Sequence, residues 1–265
     1  MHLGHAYAAL FAWSEAKRRH GHFLLRIEDI DQGRTREVFE SAIYEDLAWL
    51  GLDWETPVRR QSEHMEDYVA ALTRLDELGV IYPCFCSRRE IRAEIKHAGE
   101  APHGLDGVIY PGTCRSLAYE ARHQGILMGR PHAWRLEIAR ALKITGPLEW
   151  SDRAAGQQAA DVLTAGDIVV ARKDVPTSYH LAVTVDDGIQ GVTLVTRGDD
   201  LFHATAIHRL LQALLDIPAP TWHHHSLITD SSGARLAKRN RATTLRSLRR
   251  AGKTPAELRA MVGFA

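Results

Sequence analysis

At 265 residues, with 45% apolar content and a formal net charge of zero, the chain is long enough to bury a core in one large domain or two modest ones. It lacks the strongly basic balance of many nucleic-acid binders. No run of about 18 apolar residues is present for a membrane helix, and the first residues lack the basic-then-apolar order of a signal peptide, so a cytoplasmic location is expected. The predicted elements begin with an amphipathic helix from about His5 to Arg19. "HFLLRI" then reads as a short buried strand that ends in Glu28, Asp29 and Asp31. Helices follow in "REVFESAIYEDLAWLGL" and "HMEDYVAALTRLDELGV", the second stopped by Gly79. From Tyr82 to about Arg122 the character changes: this stretch holds all three cysteines among glycines and prolines and reads as an insertion with its own organising centre. "AWRLEI", "DIVVARKD", "SYHLAVTVDD" and "GVTLVTRGDD" read as strands, "HATAIHRLLQALLDI" as a helix and "TWHHHSLI" as a strand. In "KTPAELRAMV", Thr254, Pro255 and Glu257 form a helix start with a capping box. Alternating strands and helices predict an α/β sheet, whose ligands sit beyond the carboxyl ends of its strands.

Several residues stand where chemistry is expected. His2 and His5, three apart at the mouth of the first helix, share one face, and the free N–H groups there suit an anion such as a nucleoside triphosphate. Gly4 between them lets a planar ligand approach the backbone. An odd number of cysteines fits reduced thiols or a metal site better than a disulfide framework. Cys84, Cys86 and Cys114 supply three thiolates for a tetrahedral structural zinc ion. General chemistry would take the fourth ligand from His103 or His97, since a phenol with a pKa of about 10 rarely binds zinc. Three reduced structural cysteines are the alternative. His223, His224 and His225 alternate faces on a strand and cannot readily converge on one ion. From Arg235 to Arg250 the chain carries seven basic residues and no acidic one, either a solvated face or a local patch for a polyanion.

Taken together, these stretches resemble a known family. "HLGHAYAALFAW" is similar to the HIGH signature of class I aminoacyl-tRNA synthetases, and "RLAKRN" to their KMSKS loop. Between them "FLLRIEDID", "LGLDWE", "RRQSEHMEDYVAAL", "PTSYHLAVTVDD" and "VTRGDDL" resemble the glutamyl branch in the same order. Within that branch the chain is most similar to the short glutamyl-queuosine tRNA(Asp) synthetase group, which lacks an anticodon-binding domain, and it runs only 25 residues beyond Asn240.

The resemblance implies a Rossmann-type catalytic domain with a zinc-bearing insertion and a helical C-terminal part. Residues 1–81 would be the first part of the nucleotide-binding domain and 82–122 the zinc-binding insertion. Residues 123–234 would complete the insertion and the catalytic domain, and 235–265 would hold the KMSKS-like loop and C-terminal helices. The implied reaction joins ATP, with Mg2+, and L-glutamate into glutamyl-adenylate, then moves glutamate to queuosine in the anticodon of tRNA(Asp). His2, His5 and Lys238 would be catalytic and, with Gly4, bind the nucleotide; Glu28, Tyr179 and Arg197 would hold glutamate. Asp199 and Asp200 match an acidic pair that is often structural. The pattern C-x-C…Y-x-x-x-C points to Tyr110 as fourth ligand to one structural Zn2+, with His103 as rival. The expected partners are L-glutamate, ATP and queuosine-bearing tRNA(Asp), with no membrane and a monomeric chain. Two other readings are the catalytic half of a true glutamyl-tRNA synthetase and a non-catalytic zinc-stabilised RNA-binding module.

The chain departs from the family twice. Ala237 stands where serine usually precedes the signature lysine. Relatives also carry a strand and loop resembling R-F-A-P-S-P-T-G-x-L ahead of the first histidine, with an arginine and a serine that bind glutamate, so Met1 is expected to be an internal methionine and a sheet strand to be missing. The 265-residue form is accordingly expected to show low soluble yield and little adenylation; full activity from the purified chain of this length would contradict that expectation.

Overall fold

The computed structural model describes residues 1–31, 33, 37–97, 103–104, 107–228 and 244–264. Helix α1 (Leu3–Arg18) is followed by β1 (Arg26–Ile27), α2 (Glu37–Trp49), β2 (Arg59–Arg60), α3 (Met65–Glu77) and β3 (Ile81–Cys84). Next come α4 (Arg88–His97), β4 (His103–Gly104), β5 (Gly107–Val108), α5 (Tyr119–Leu127), β6 (Ala133–Leu136) and α6 (Ile138–Thr145). The hairpin β7 (Glu149–Asp152) and β8 (Gly156–Ala159), then β9 (Ile168–Ala171), α7 (Tyr179–Ile189) and β10 (Leu194–Gly198) continue the chain. It closes with α8 (Ala204–Leu214), β11 (Thr221–His225), α9 (Leu245–Arg250) and α10 (Pro255–Met261). The class is α/β, as the sequence predicts. No helix among the described residues is long and apolar enough to cross a membrane.

The chain divides into two units that interleave in sequence: Met1–Glu63, Leu194–Phe202 and Trp222–Ala265 form the first, His64–Thr193 and His203–Thr221 the second. In the first, Ala6 and Leu10 of α1 share a stripe that packs with Leu47, Leu50, Leu52, Leu245, Leu258 and Val262. Helix α1 also packs on β10, which neighbours β11. Helix α10 starts as predicted, with Thr254 accepting from the Glu257 N–H at 3.2 Å and the Glu257 carboxylate accepting from the Thr254 N–H at 2.8 Å. Strand β1 pairs in parallel with β2, Arg26 opposite Arg59 and Ile27 opposite Arg60, a crossover made through α2. The strand expected over all of "HFLLRI" is confined to those last two residues. Phe23 and Leu25 are half-buried, Leu25 against the core of this unit, while His22 and Leu24 are exposed; the alternation suits a strand, but the ladder with β2 takes in Arg26 and Ile27 alone.

The second unit is built on the antiparallel sheet β3-β6-β9, with Ile81 opposite Leu136 and Cys84 opposite Ala133. Helix α3 packs on β3 and α7, and α8 packs on α6 and α7. Helix α3 ends where Gly79 predicts: its φ is +65°, and the Val80 N–H returns to the Leu75 carbonyl at 3.2 Å, a left-handed stop that a Cβ disfavours. The strand expected over "SYHLAVTVDD" is overturned, because Tyr179–Ile189 is α-helical. Ser178 caps it by accepting from the Leu181 N–H, and the six residues Leu181–Asp186 are all buried. A helix enclosed on every side carries no polar stripe, so its Val-Thr-Val run mimics a buried strand. Against it, the Tyr68 hydroxyl is shared between both oxygens of the buried Asp186 carboxylate at 3.0 Å. Tyr68→Phe removes that donor from a buried carboxylate and is expected to destabilise the protein by about 1–3 kcal/mol, read as a lowered urea midpoint; an unchanged midpoint would show that the contact contributes nothing.

Candidate functional site

The mouth of α1 is shaped by its two histidines. Their rings lie 3.6 Å apart between centroids, tilted by 31°, and the His2 N–H donates to His5 Nδ1 at 3.2 Å. The shared face expected from the spacing is present. Part of the helix N-terminus is therefore already capped by imidazole. A Cβ added to Gly4 would lie 3.1 Å from His2 Cε1, so the space above this glycine accommodates the His2 ring. Thr244, where the described chain resumes after residue 228, bridges to His2, and the Leu245 N–H donates to the Met1 carbonyl at 2.9 Å. Ala237 and Lys238 lie outside the described residues. Of the basic stretch, Arg246 and Arg249 of α9 bind Glu45 at 3.1 and 2.7 Å. Those contacts, the hydrogen bond from Arg246 above all, hold the Glu45 carboxyl below the ordinary carboxylate range.

Also in the first unit, Glu28 directly follows β1 and meets Arg26 Nε at 3.7 Å. Arg197 lies on β10, and its Nε donates to His224 Nε2 at 3.2 Å, which orients the guanidinium plane. Sequence reading missed His224 in this role. Its only signal was the alternation along β11: His223 and His225 both contact Phe11, at 4.8 and 5.0 Å, while His224 contacts Phe202 at 4.9 Å. Asp199 and Asp200 open a short 3-10 turn after β10. A Cβ on Gly198 would fall 2.7 Å from Leu227 Cδ2, so that corner of the R-G-D-D run has no room for a side chain.

Tyr179 belongs to the second unit. It is the first residue of α7 and, with Ser178, His180, Arg172 and Asp174, lines a cavity of about 1020 Å³ that also reaches Cys84, Cys86 and Tyr110. Arg172 and Asp174 form a two-pronged ion pair at 2.6 and 3.0 Å. His180 Nδ1 lies 3.1 Å from His208 Nε2, and both rings stand edge-on to Tyr179, at 5.5 and 5.8 Å.

The cysteines converge as their spacing predicts. Cys84 ends β3, and the Sγ atoms of Cys84, Cys86 and Cys114 lie within 4.8 Å of one another, Cys86 and Cys114 at 3.4 Å. The Tyr110 hydroxyl joins them, 3.4 Å from Cys84 Sγ and 3.7 Å from Cys86 Sγ, and accepts from the Cys114 N–H at 2.8 Å. Tetrahedral zinc with metal–sulfur bonds of about 2.3 Å sets sulfurs about 3.8 Å apart, so three thiols and a phenol fit such an ion. Burial, then the hydrogen bond with Cys114, pushes the Cys86 thiol up to about 12; a dication reverses that preference by stabilising thiolate. The side chains of His97 and His103 lie outside the described residues. Asp167 ties the cluster to the sheet, its buried carboxylate accepting from Tyr82 at 2.6 Å and from Arg115 at 2.8 Å.

Comparison with known proteins places this arrangement. The model of "tRNA synthetases class I (E and Q), catalytic domain" matches residues 1–264. A protein of Rhodobacter capsulatus named glutamyl-Q tRNA(Asp) synthetase is 44% identical, the match covering 100% of this chain and 96% of that protein. A protein of the same name from Nocardia farcinica is 42% identical over 99% of this chain and 79% of its own length. Among solved structures, a glutamate tRNA ligase from Elizabethkingia meningosepticum in complex with its amino acid superposes with a TM-score of 0.75 at 28% identity. That match covers 90% of this chain and 49% of the ligase, so the chain spans about half the length of that solved enzyme.

Proposed function

Because the chain belongs to the family of class I tRNA synthetase catalytic domains that serve glutamate and glutamine, we propose that it activates L-glutamate with ATP and transfers the glutamyl group to queuosine in the anticodon of tRNA(Asp). A carboxylate oxygen of glutamate attacks the α-phosphorus of ATP, the bond to the β-phosphate oxygen breaks, and pyrophosphate leaves with glutamyl-adenylate retained. The acceptor then takes the acyl group and AMP departs. His2 and His5 donate to the phosphates as charge shifts towards pyrophosphate, and Lys238 reaches the leaving group. Magnesium accompanies the nucleotide and supplies positive charge to its phosphates. Arg197 pairs with the side-chain carboxylate in a two-pronged geometry that lysine cannot copy, Glu28 holds the α-ammonium group, and Tyr179 adds its hydroxyl. The chain is proposed to act as a monomer.

The observation that carries this reading is the paired imidazoles at the mouth of α1, 3.6 Å apart, in a chain matched along its length by relatives of that name. Those full-length matches favour queuosine over the 3′ end of tRNA(Glu) and over a binding module without catalysis. The direct test is glutamate-dependent ATP–pyrophosphate exchange without tRNA, on the 265-residue chain and on one extended by an R-F-A-P-S-like segment. Exchange by the extended form is expected; silence in both contradicts the reading.

The cysteine cluster is proposed to hold one structural zinc ion through Cys84, Cys86, Tyr110 and Cys114. Metal analysis should return one zinc per chain, and Cys114→Ala should abolish it. Tyr110→Phe should weaken zinc retention against a chelator by about 10–100-fold, whereas His103→Ala should leave it unchanged. The reverse pattern would make His103 the fourth ligand.

A further inference from the structure

We propose that Asp29 and Ser62 form a clamp that positions Glu28 and so sets the grip on the α-ammonium group of the amino-acid substrate. The inference rests on the role proposed for Glu28. The main-chain pairing of β1 with β2 ends at Ile27 opposite Arg60. Carried two residues further in the same register, it sets Asp29 opposite Ser62. At that step a side chain replaces the ladder: the Ser62 N–H donates to Asp29 Oδ1 at 2.8 Å, and the Ser62 hydroxyl to Oδ2 at 2.5 Å. One carboxylate thus receives two charge-assisted bonds from one residue 33 positions away in sequence.

Burial follows the same two-residue period. Ile27 is 6% and Asp29 9% exposed, while the Glu28 side chain between them is 43% exposed. Anchoring 27 and 29 on the inner face leaves Glu28 on the outer one. The opposing segment is itself fixed, because Arg60 pairs with the buried Glu40 carboxylate, which also accepts from the Tyr44 hydroxyl at 2.8 Å. Glu28 is therefore bracketed by a paired strand on one side and by the clamp on the other. A binding carboxylate needs this, since a shift of about 1 Å in a substrate contact costs on the order of 100-fold. Asp29 and Ser62 are positioning residues: they act through Glu28.

The test is glutamate affinity by titration calorimetry, on both the 265-residue and the N-terminally extended chain, with ATP affinity as the internal control. Asp29→Asn and Ser62→Ala should each weaken glutamate binding by about 10-fold and leave ATP binding within about 2-fold; Ser62→Thr, which keeps the hydroxyl, should restore it. The double variant Glu28→Gln, Asp29→Asn should bind glutamate no more weakly than Glu28→Gln alone, because a positioning residue has nothing left to position. Multiplying losses in the double variant, or loss of ATP and glutamate binding together, would show a merely structural role and overturn the clamp. Should Asp29→Asn fail to fold by circular dichroism, the pair Ser62→Ala and Ser62→Thr decides alone. If Glu28→Gln weakens binding but the clamp variants do not, the clamp falls and the reading of Glu28 stands. If neither length binds glutamate, or Glu28→Gln binds it normally, both fall.

Discussion

The burial of Ala6 and Leu10 on one stripe of α1 is the constraint on which the first unit depends. Both side chains are almost fully enclosed, among leucines drawn from α9, α10 and the end of α2. That packing fixes the axis of α1 and, with it, the position of its N-terminal turn. A buried leucine is worth about 1.5–3 kcal/mol, and several pack here, together more than the ~0.5–1.5 kcal/mol of one hydrogen bond such as that between the His2 N–H and His5. The apolar core therefore holds the imidazoles in place, and their mutual contact only refines their orientation. Leu245 belongs to the same cluster, and its neighbour Thr244 bridges to His2. Thr244 and Leu245, where the described residues resume, are thus anchored beside the histidines.

In the second unit an equivalent role falls to a carboxylate. Asp167 receives Tyr82, two residues ahead of Cys84, and Arg115, the residue after Cys114, as well as the Ile138 N–H at 3.2 Å. One buried side chain thereby draws together the C-x-C end of β3 and the loop of the third cysteine. Burial and that carboxylate raise the Tyr82 phenol well above its ordinary range, so it remains a donor. The cysteine cluster is held to the sheet by protein contacts, and a bound ion would complete an arrangement already close to tetrahedral spacing.

Much of this could be read from the residues because the signals were local. Gly79 stops α3, Thr254 and Glu257 cap α10, His2 and His5 share a helix face, and Cys84, Cys86 and Cys114 meet. Each of these depends on spacing or on the chemistry of one residue type. What escaped reading depends on contacts distant in sequence. The segment from Tyr179 reads as a strand because its middle, Leu181–Asp186, is buried all round, which erases the periodicity that separates helix from strand. "HFLLRI" reads as a longer strand than it is, because an apolar run does not say how many of its residues find a pairing partner. His224 beneath Arg197 and Ser62 against Asp29 are pairings between separate strands or turns, and nothing in the spacing of either residue announces its partner.

The central claim is that glutamate activated on the paired histidines passes to a modified anticodon base. The most direct measurement is transfer of radiolabelled glutamate, by the 265-residue chain and by its N-terminally extended form, to tRNA(Asp) carrying queuosine, beside the same tRNA with unmodified guanosine and beside tRNA(Glu). Label on the queuosine-bearing tRNA alone is the result this account predicts. Label on the 3′ end of tRNA(Glu) would contradict it and make the chain the catalytic part of a glutamyl-tRNA synthetase.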